Sequence, residues 1–319
     1  MTDLPSGVTT LDVLIATRRR PDMLRRALDS LCSAPVPPSL RVTIVVIDNA
    51  GDAATRKVVS SFAQRVPRCL LYLHEPSGGK SSALNRGLRE TSGTLVGFID
   101  DDEEIDRQWF ETIAEAFRAE EVDFIGGPCL PRWGATPPAW LPESWRGVIG
   151  FVDDGDRVMV FGDDAPGILM GGNAVIRRRM LDAVGFYSPA LGPRPEARLL
   201  SGEDEDLYVR LIRAGAHGLY VPRLRIIHYV PAQRLTKHYY RRWSFWHGVS
   251  RSLIDAARPS HVKRIGRVPR YLYGTAARAA LQTAASVFRR SSHQFSNELE
   301  LWHVAGFVYG CYWYREGVR

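Results

Sequence analysis

Within its first hundred residues the chain repeats one pattern four times: an apolar run of strand length, a polar turn, then helically spaced apolar positions. The runs are residues 11–16, 42–47, 69–73 and 95–99. After the first, Pro21 suits an opening helical turn, and Met23, Leu24, Ala27, Leu28 and Leu31 mark one helical face. Further helices are predicted to about residue 65, over 80–90 and over 106–118. The apolar runs are continuous, so the strands are expected to be covered on both faces, as in a parallel sheet between helix layers. The fold class is therefore α/β. In open sheets of this kind a ligand lies beyond the carboxyl ends of the strands. Thr17 and Arg18, Asp48, Gly79 and Lys80, and Asp100 to Asp102 all follow such ends and are expected to share one crevice.

The fourth run ends in Asp100-Asp101-Asp102-Glu103-Glu104. Five adjacent carboxylates repel one another unless a positive charge sits among them. Mg²⁺ or Mn²⁺ suits hard oxygen ligands and commonly takes one or two carboxylates, leaving other positions to water and phosphate. The competing reading is a solvated acidic start to the helix over 106–118, where acids favour the positive helix end; Glu103 and Glu104 are assigned to that role. A second acidic group, Glu203-Asp204-Glu205-Asp206, opens another helical pattern behind the N-cap candidate Ser201. The helix dipole accounts for some of these acids but not for all four.

Beyond residue 126 the alternation stops. Residues 128–147 hold five prolines and three tryptophans, a composition for a loop over the sheet edge. Trp133, Trp140 and Trp145 could stack on a sugar or anchor the loop to its own domain. Short strands are predicted over 158–161 and 168–170, a tight backbone approach at Gly171-Gly172 before another strand, and a short helix over 177–184. Residues 188–200 read as a lid-like loop. Two strands, 217–221 and 225–230, follow, the second carrying His228. Helices are predicted over 235–257, 270–290 and 296–313. The expected organisation is a catalytic domain of residues 1–230, in halves of about 1–126 and 127–230, with a helical extension of 231–319.

Composition narrows the class. Four well-separated cysteines with no metal-like spacing point to neither a zinc site nor a disulfide framework, and to a reducing, cytoplasmic setting. Residues 1–10 show no secretory pattern, and no stretch of about 20 apolar residues would span a membrane. The net charge of +7 is unevenly placed. Residues 231–319 hold 15 Lys and Arg against 4 Asp and Glu, a net +11 that leaves −4 for residues 1–230. In this tail Tyr239, Tyr240, Trp243 and Trp246 lie among Lys237, Arg241 and Arg242, and Trp302, Phe307, Tyr309, Tyr312, Trp313 and Tyr314 follow. Such a composition suits peripheral contact with the anionic cytoplasmic face of a membrane, or packing on the catalytic domain or in a homodimer.

Three familiar motifs fail. Gly79-Lys80-Ser81 imitates a P-loop, but the required earlier glycine is His74. The acids from Asp100 to Glu111 have partial EF-hand spacing, but Ile105 stands where that loop demands glycine. A dinucleotide-binding GxGxxG is absent after the first strand. A P-loop-like NTPase and a basic nucleic-acid-binding protein stay as rival functions, though no RNA- or DNA-reading motif is visible and no nucleic-acid partner is expected.

Taken together, six segments resemble the inverting glycosyltransferases of family 2, which have the nucleotide-sugar-binding GT-A fold. They are LIATRRRP from residue 14, VVIDNAGD from 45, GGKSSALNRGL from 78, FIDDDEEID from 98, GGNAVIRR from 171 and GEDEDLYVRLIRAG from 202. The resemblance implies a sugar moved from a nucleotide diphosphate, UDP favoured and dTDP the alternative, to an acceptor hydroxyl on a glycan, a lipid-linked acceptor or a small molecule. It places Ala16, Thr17, Arg18, Asp48, Lys80, Asn85, Asp100 and Asp101 at the nucleotide, with Asp48 accepting from the base imide and Asp100 at the ribose. It puts Asp102 and His228 on the Mn²⁺ or Mg²⁺ ion and makes Asp204 the general base. Trp140, Gly172, Asn173, Glu203 and Arg210 are implied on the acceptor side. Departures from the family pattern are Ala16 for proline, Arg19 for asparagine and Leu84 for arginine. The chemistry agrees: one cluster serves a leaving diphosphate that a metal stabilises, the other a single base for the attacking hydroxyl. No second carboxylate is needed to protonate the leaving group, unlike in a glycosidase.

Overall fold

A computed structural model describes residues 8–64, 69–162, 167–194, 199–258, 261–289 and 294–314. Residues 1–7, read above for a secretory signal, residue 65 at the end of the second predicted helix, and residues 195–198 of the lid-like loop lie outside these. The chain divides into two compact units: residues 1–132, 150–187 and 204–229, and residues 133–149, 188–203 and 230–319. The segments 133–149 and 188–203 thus group with the C-terminal helices.

In the first unit the predicted alternation is present. It runs β1 (Thr9–Thr17), α1 (Pro21–Ser33), β2 (Leu40–Asp48), α2 (Ala53–Ala63), β3 (Cys69–His74), α3 (Lys80–Glu90) and β4 (Leu95–Phe98). Then follow β5 (Glu103–Ile105), α4 (Trp109–Ala116), β6 (Phe124–Gly126) and β7 (Cys129–Trp133). β8 (Met159–Val160), β9 (Ala174–Arg177), α5 (Arg178–Val184), α6 (Glu203–Arg213), β10 (Gly218–Tyr220) and β11 (Ile226–Val230) complete it. Pro21 does open α1, and Asp52 caps α2 by accepting from Thr55 N–H at 3.1 Å.

The main sheet has eight strands in the order β3-β2-β1-β4-β9-β6-β10-β8. β1, β2, β3 and β4 pair in parallel, as does β10 with β6. β9 runs antiparallel to both β4 and β6, and β8 runs antiparallel to β10. Alternate residues of the central strands feed two cores. Leu11, Val13, Ile15, Val42, Ile44 and Val46 join one, and Leu14, Val45 and Ile47 the other. That two-sided burial is why the strands read as continuous apolar runs. A small sheet, β5-β11-β7, lies beside the strand ends.

Two local expectations are corrected. Residues 168–170 form no strand. Glu103 and Glu104 do not begin a helix: a turn from Asp100 O to Glu103 N–H at 3.2 Å redirects the chain into β5, which pairs with β11, and the helix starts only at Trp109.

The second unit consists of α7 (Lys237–Ala257), a hairpin of β12 (Arg264–Ile265) and β13 (Val268–Pro269), α8 (Arg270–Arg289) and α9 (Gln294–Tyr312), with the two loop segments. α7 and α9 touch backbone to backbone: a Cβ on Gly248 would lie 2.0 Å from His303 O, and one on Gly306 1.8 Å from Phe245 O. Ser244 donates to Leu299 O at 2.6 Å, and Arg241 grips Glu298 through two bonds of 2.5 and 3.0 Å.

Candidate active site

The first unit gathers the strand-end loops as the sheet topology requires. Thr17, at the end of β1, donates its hydroxyl to Asp101 Oδ2 at 2.7 Å. The turn after it puts Arg19 in the left-handed region at φ 54° and brings Arg20 Nη1 to 3.1 Å from Asp101 and 3.3 Å from Asp102. Arg18 is exposed beside it, while Ala16 packs against the core. The cation expected among the acids is thus partly supplied by the chain itself. Arg20 was not singled out from sequence, although three arginines in one turn facing five acids was a usable signal.

Burial, then Asp102, push the Asp101 carboxyl up to about 6, with Arg20 and the Thr17 hydroxyl opposing. In return the charge of Asp101 raises the Arg20 guanidinium. Lys80, at the start of α3, sits 2.7 Å from Asp100. Glu103 turns inward and accepts from Asp100 N–H at 2.7 Å; burial, and next Asp100, hold its carboxyl well above the usual range.

Asp48 is fully buried and accepts from Ala50 N–H at 2.9 Å, Asp52 N–H at 2.7 Å and Tyr72 hydroxyl at 2.8 Å. Its first task is to shape the loop after β2; with about four lone-pair sites per carboxylate, one is left for a further donor. Asn49, which sequence reasoning passed over, ties that loop to the next: it donates to Glu75 O at 2.9 Å and Ser77 O at 2.7 Å and accepts from Gly79 N–H at 2.8 Å.

Gly171 and Gly172 form the opposite wall. A Cβ on Gly171 would stand 2.0 Å from Asp204 Oδ1, and one on Gly172 2.1 Å from Glu103 Oε1. The two glycines let two carboxylates from distant segments approach one turn of backbone. Asp204 Oδ1 is buried without a hydrogen-bond partner. Burial raises the Asp204 carboxyl; Lys80 opposes this, Asp100 adds to it, and the Gly171 N–H opposes it again.

Several residues assigned by resemblance to ligand contacts make hydrogen bonds within the fold. Asn85 is buried and exchanges bonds with the backbone of Tyr187, donating at 2.8 Å and accepting at 3.0 Å. Asn173 is wholly buried, accepting from Trp109 Nε1 at 3.0 Å and donating to Leu224 O at 2.6 Å and Pro128 O at 3.2 Å. Arg210 pairs with Asp206 at 3.0 Å and binds the carbonyls of Val184, Gly185 and Phe186. An amide or guanidinium whose bonds are spent internally has little left for an acceptor. Glu203 is buried. Trp140 lies in the second unit, edge-on to Tyr240 and Phe295.

Among the described residues no group of three or more His, Cys, Asp and Glu side chains forms a complete metal cage. Asp102 Oδ1 and His228 Nε2, 3.7 Å apart, supply one oxygen and one imidazole nitrogen. That pair would suit a divalent ion such as Mn²⁺ or Mg²⁺, whose remaining positions the protein would leave to other ligands.

A mixed sheet whose parallel half ends in a carboxylate cluster, faced by a second acid on a separate helix, defines a GT-A glycosyltransferase. Residues 12–185 match the family model for glycosyl transferase family 2, and the chain belongs to that family. It is similar to the succinoglycan biosynthesis protein ExoM of Rhizobium meliloti, 27% identical over 235 residues, covering 72% of this chain and 70% of the relative. It is also similar to the glucosyl-dolichyl phosphate glucuronosyltransferase of Haloferax volcanii, 22% identical over 220 residues and 68% of each chain. Among solved structures the mannosyltransferase PcManGT of Pyrobaculum calidifontis, in complex with GDP-Man and Mn²⁺, shares the fold with a TM-score of 0.62. That comparison covers 96% of this chain and 88% of the other at 18% identity.

Proposed function

We propose that this glycosyltransferase moves a sugar from a nucleotide diphosphate to an acceptor hydroxyl by one inverting displacement, with Asp204 as the general base. The observation that carries this reading is the buried, unpartnered Oδ1 of Asp204 against a glycine that leaves it no clearance for a Cβ. An unpaired buried carboxylate oxygen is costly in a resting fold and useful where it receives a proton from a bound hydroxyl.

On the donor side Lys80 and Arg20 bring positive charge to the strand ends, Thr17 and Asp100 line the same crevice, and Asp102 with His228 would hold the divalent ion. When bound, that ion would stabilise charge on the departing diphosphate as a Lewis acid. UDP is the favoured donor nucleotide and dTDP the alternative. Because one relative is a glucosyl-dolichyl phosphate glucuronosyltransferase, a lipid-linked glycan is the favoured acceptor class. Such an acceptor would place the reaction at a cytoplasmic membrane face, for which the basic C-terminal helices are suited; a homodimer through those helices is the competing use of the same surface.

A panel of nucleotide sugars, read out as nucleotide release with and without Mn²⁺, tests donor and metal together. Asp204→Asn should lower turnover about 10²- to 10⁴-fold, the usual span for a lost general base, while nucleotide binding by calorimetry is retained. Unchanged turnover in that variant would overturn the assignment.

A further inference from the structure

We propose that the β12–β13 hairpin and the outward face of α8 form a docking surface for an anionic lipid bilayer. The surface is apolar where a water-facing element should be polar. Val262 is 40% exposed, Ile265 53%, Tyr271 58% and Leu281 72%. α8 has one inward stripe, in which Leu272 and Ala276 pack with Val304 and Phe307 of α9. Its other faces carry exposed Ala277, Ala280, Leu281, Ala284 and Ala285, and α8 contains no acid. Exposed apolar side chains grouped on one hairpin and the helix that follows it point to an interaction surface.

The hairpin and the helix form one platform. Tyr273 donates its hydroxyl to Ile265 O at 3.4 Å, and Arg264 grips Asp255 of α7 through bonds of 2.7 and 2.8 Å. The same hairpin and helix carry Lys263, Arg270 and Arg278, whose side chains make no hydrogen bond or ion pair among the described residues. Uncommitted cations beside exposed Tyr, Val, Ile and Leu are the combination an anionic headgroup layer recognises: the cations meet phosphate while the tyrosines sit at headgroup depth and the aliphatic groups go below it. Among the described residues no helix is long and apolar enough to cross a membrane, so the contact is peripheral.

Charge decides between occupants. A second copy laid face to face would oppose like charges with no acid on α8 to relieve them. A nucleic acid would engage the cations and leave Val262, Ile265 and Leu281 without a role. The inference does not depend on the sugar-transfer reading, since lipid binding is measured without substrate.

The test is flotation of the full chain with phosphatidylcholine vesicles, with and without phosphatidylglycerol. Wild type should rise only with phosphatidylglycerol. The variant K263Q/R270Q/R278Q should bind about 100-fold more weakly, at about 1 kcal/mol for each basic residue lost near the surface. Ile265→Ser with Tyr271→Ser should keep the wild-type melting temperature and bind at low salt, but detach as salt rises while wild type stays bound. Wild type left at the bottom of the gradient, a serine variant as salt-resistant as wild type, equal affinity for duplex DNA, or a wild-type dimer that the serine variant converts to monomer would each overturn the proposal.

Discussion

Gly171 leaves Asp204 no clearance for a methyl group, and that makes a single residue informative. Gly171→Ala would set a Cβ 2.0 Å from Asp204 Oδ1 and force the carboxylate to rotate away. Turnover should fall at least about 100-fold, the scale of an ångström-sized misplacement, with nucleotide affinity by calorimetry nearly unchanged. The pH dependence follows from the same carboxylate. As a base, Asp204 works when ionised, and burial raises its proton affinity. The acid limb of kcat/KM should therefore lie above the pH of an ordinary aspartate. Lys80 opposes the rise, so Lys80→Gln should move that limb to still higher pH. A pH–rate profile of both proteins checks the direction. Asp204 itself was legible in the sequence as part of an acidic helix start. That Asn85, Asn173 and Arg210 bond to backbone carbonyls was not, because those carbonyls lie 102, 45 to 51 and 24 to 26 residues away.

At the scale of elements, the close α7–α9 contact reverses a propensity rule. Alanine ordinarily stabilises a helix interior over glycine by up to about 1 kcal/mol. Gly306→Ala should instead destabilise by about 1–3 kcal/mol, as overpacking does, because the new methyl meets the Phe245 carbonyl oxygen at 1.8 Å. Gly274→Ala on α8, where nothing lies within 4 Å, should follow the propensity and stabilise slightly. Urea unfolding of the two variants separates the effects by sign. The four strand-helix repeats were readable because each strand is largely apolar and is followed by a helically spaced apolar pattern. β9, only four residues long, showed as a strand but not as one inserted antiparallel between β4 and β6. β5 was missed because an acidic strand of three residues has no apolar pattern to show.

The whole molecule adds a dependence on acidity that belongs to the second unit. There His247 stacks on Trp243 at 4.6 Å and lies 3.1 Å from Ser201 Oγ. Burial first, then Arg251, lower its pKa to about 4. Between that value and about 6.5 in the unfolded chain, the unfolded state binds the extra proton. Stability is therefore complete above about 6.5 and drains away as the pH falls toward 4, by about 3 kcal/mol for this one group. Thermal melts of wild type and His247→Phe across that range should differ in slope, the variant lacking this share of the loss. An identical slope would show that His247 is protonated without cost.

The sequence alone determined the α/β class and the strand ends at which the polar loops gather, because local apolar periodicity and turn chemistry are written within windows of ten to twenty residues. Only the tertiary structure decided which acids face which cations. Arg20 meets Asp101 and Asp102 across more than 80 residues of chain, Glu103 turns inward against Gly172, and Asp204 keeps an unpaired oxygen against Gly171. Those outcomes depend on burial and on distances between remote segments, and a carboxylate's proton affinity is set by both.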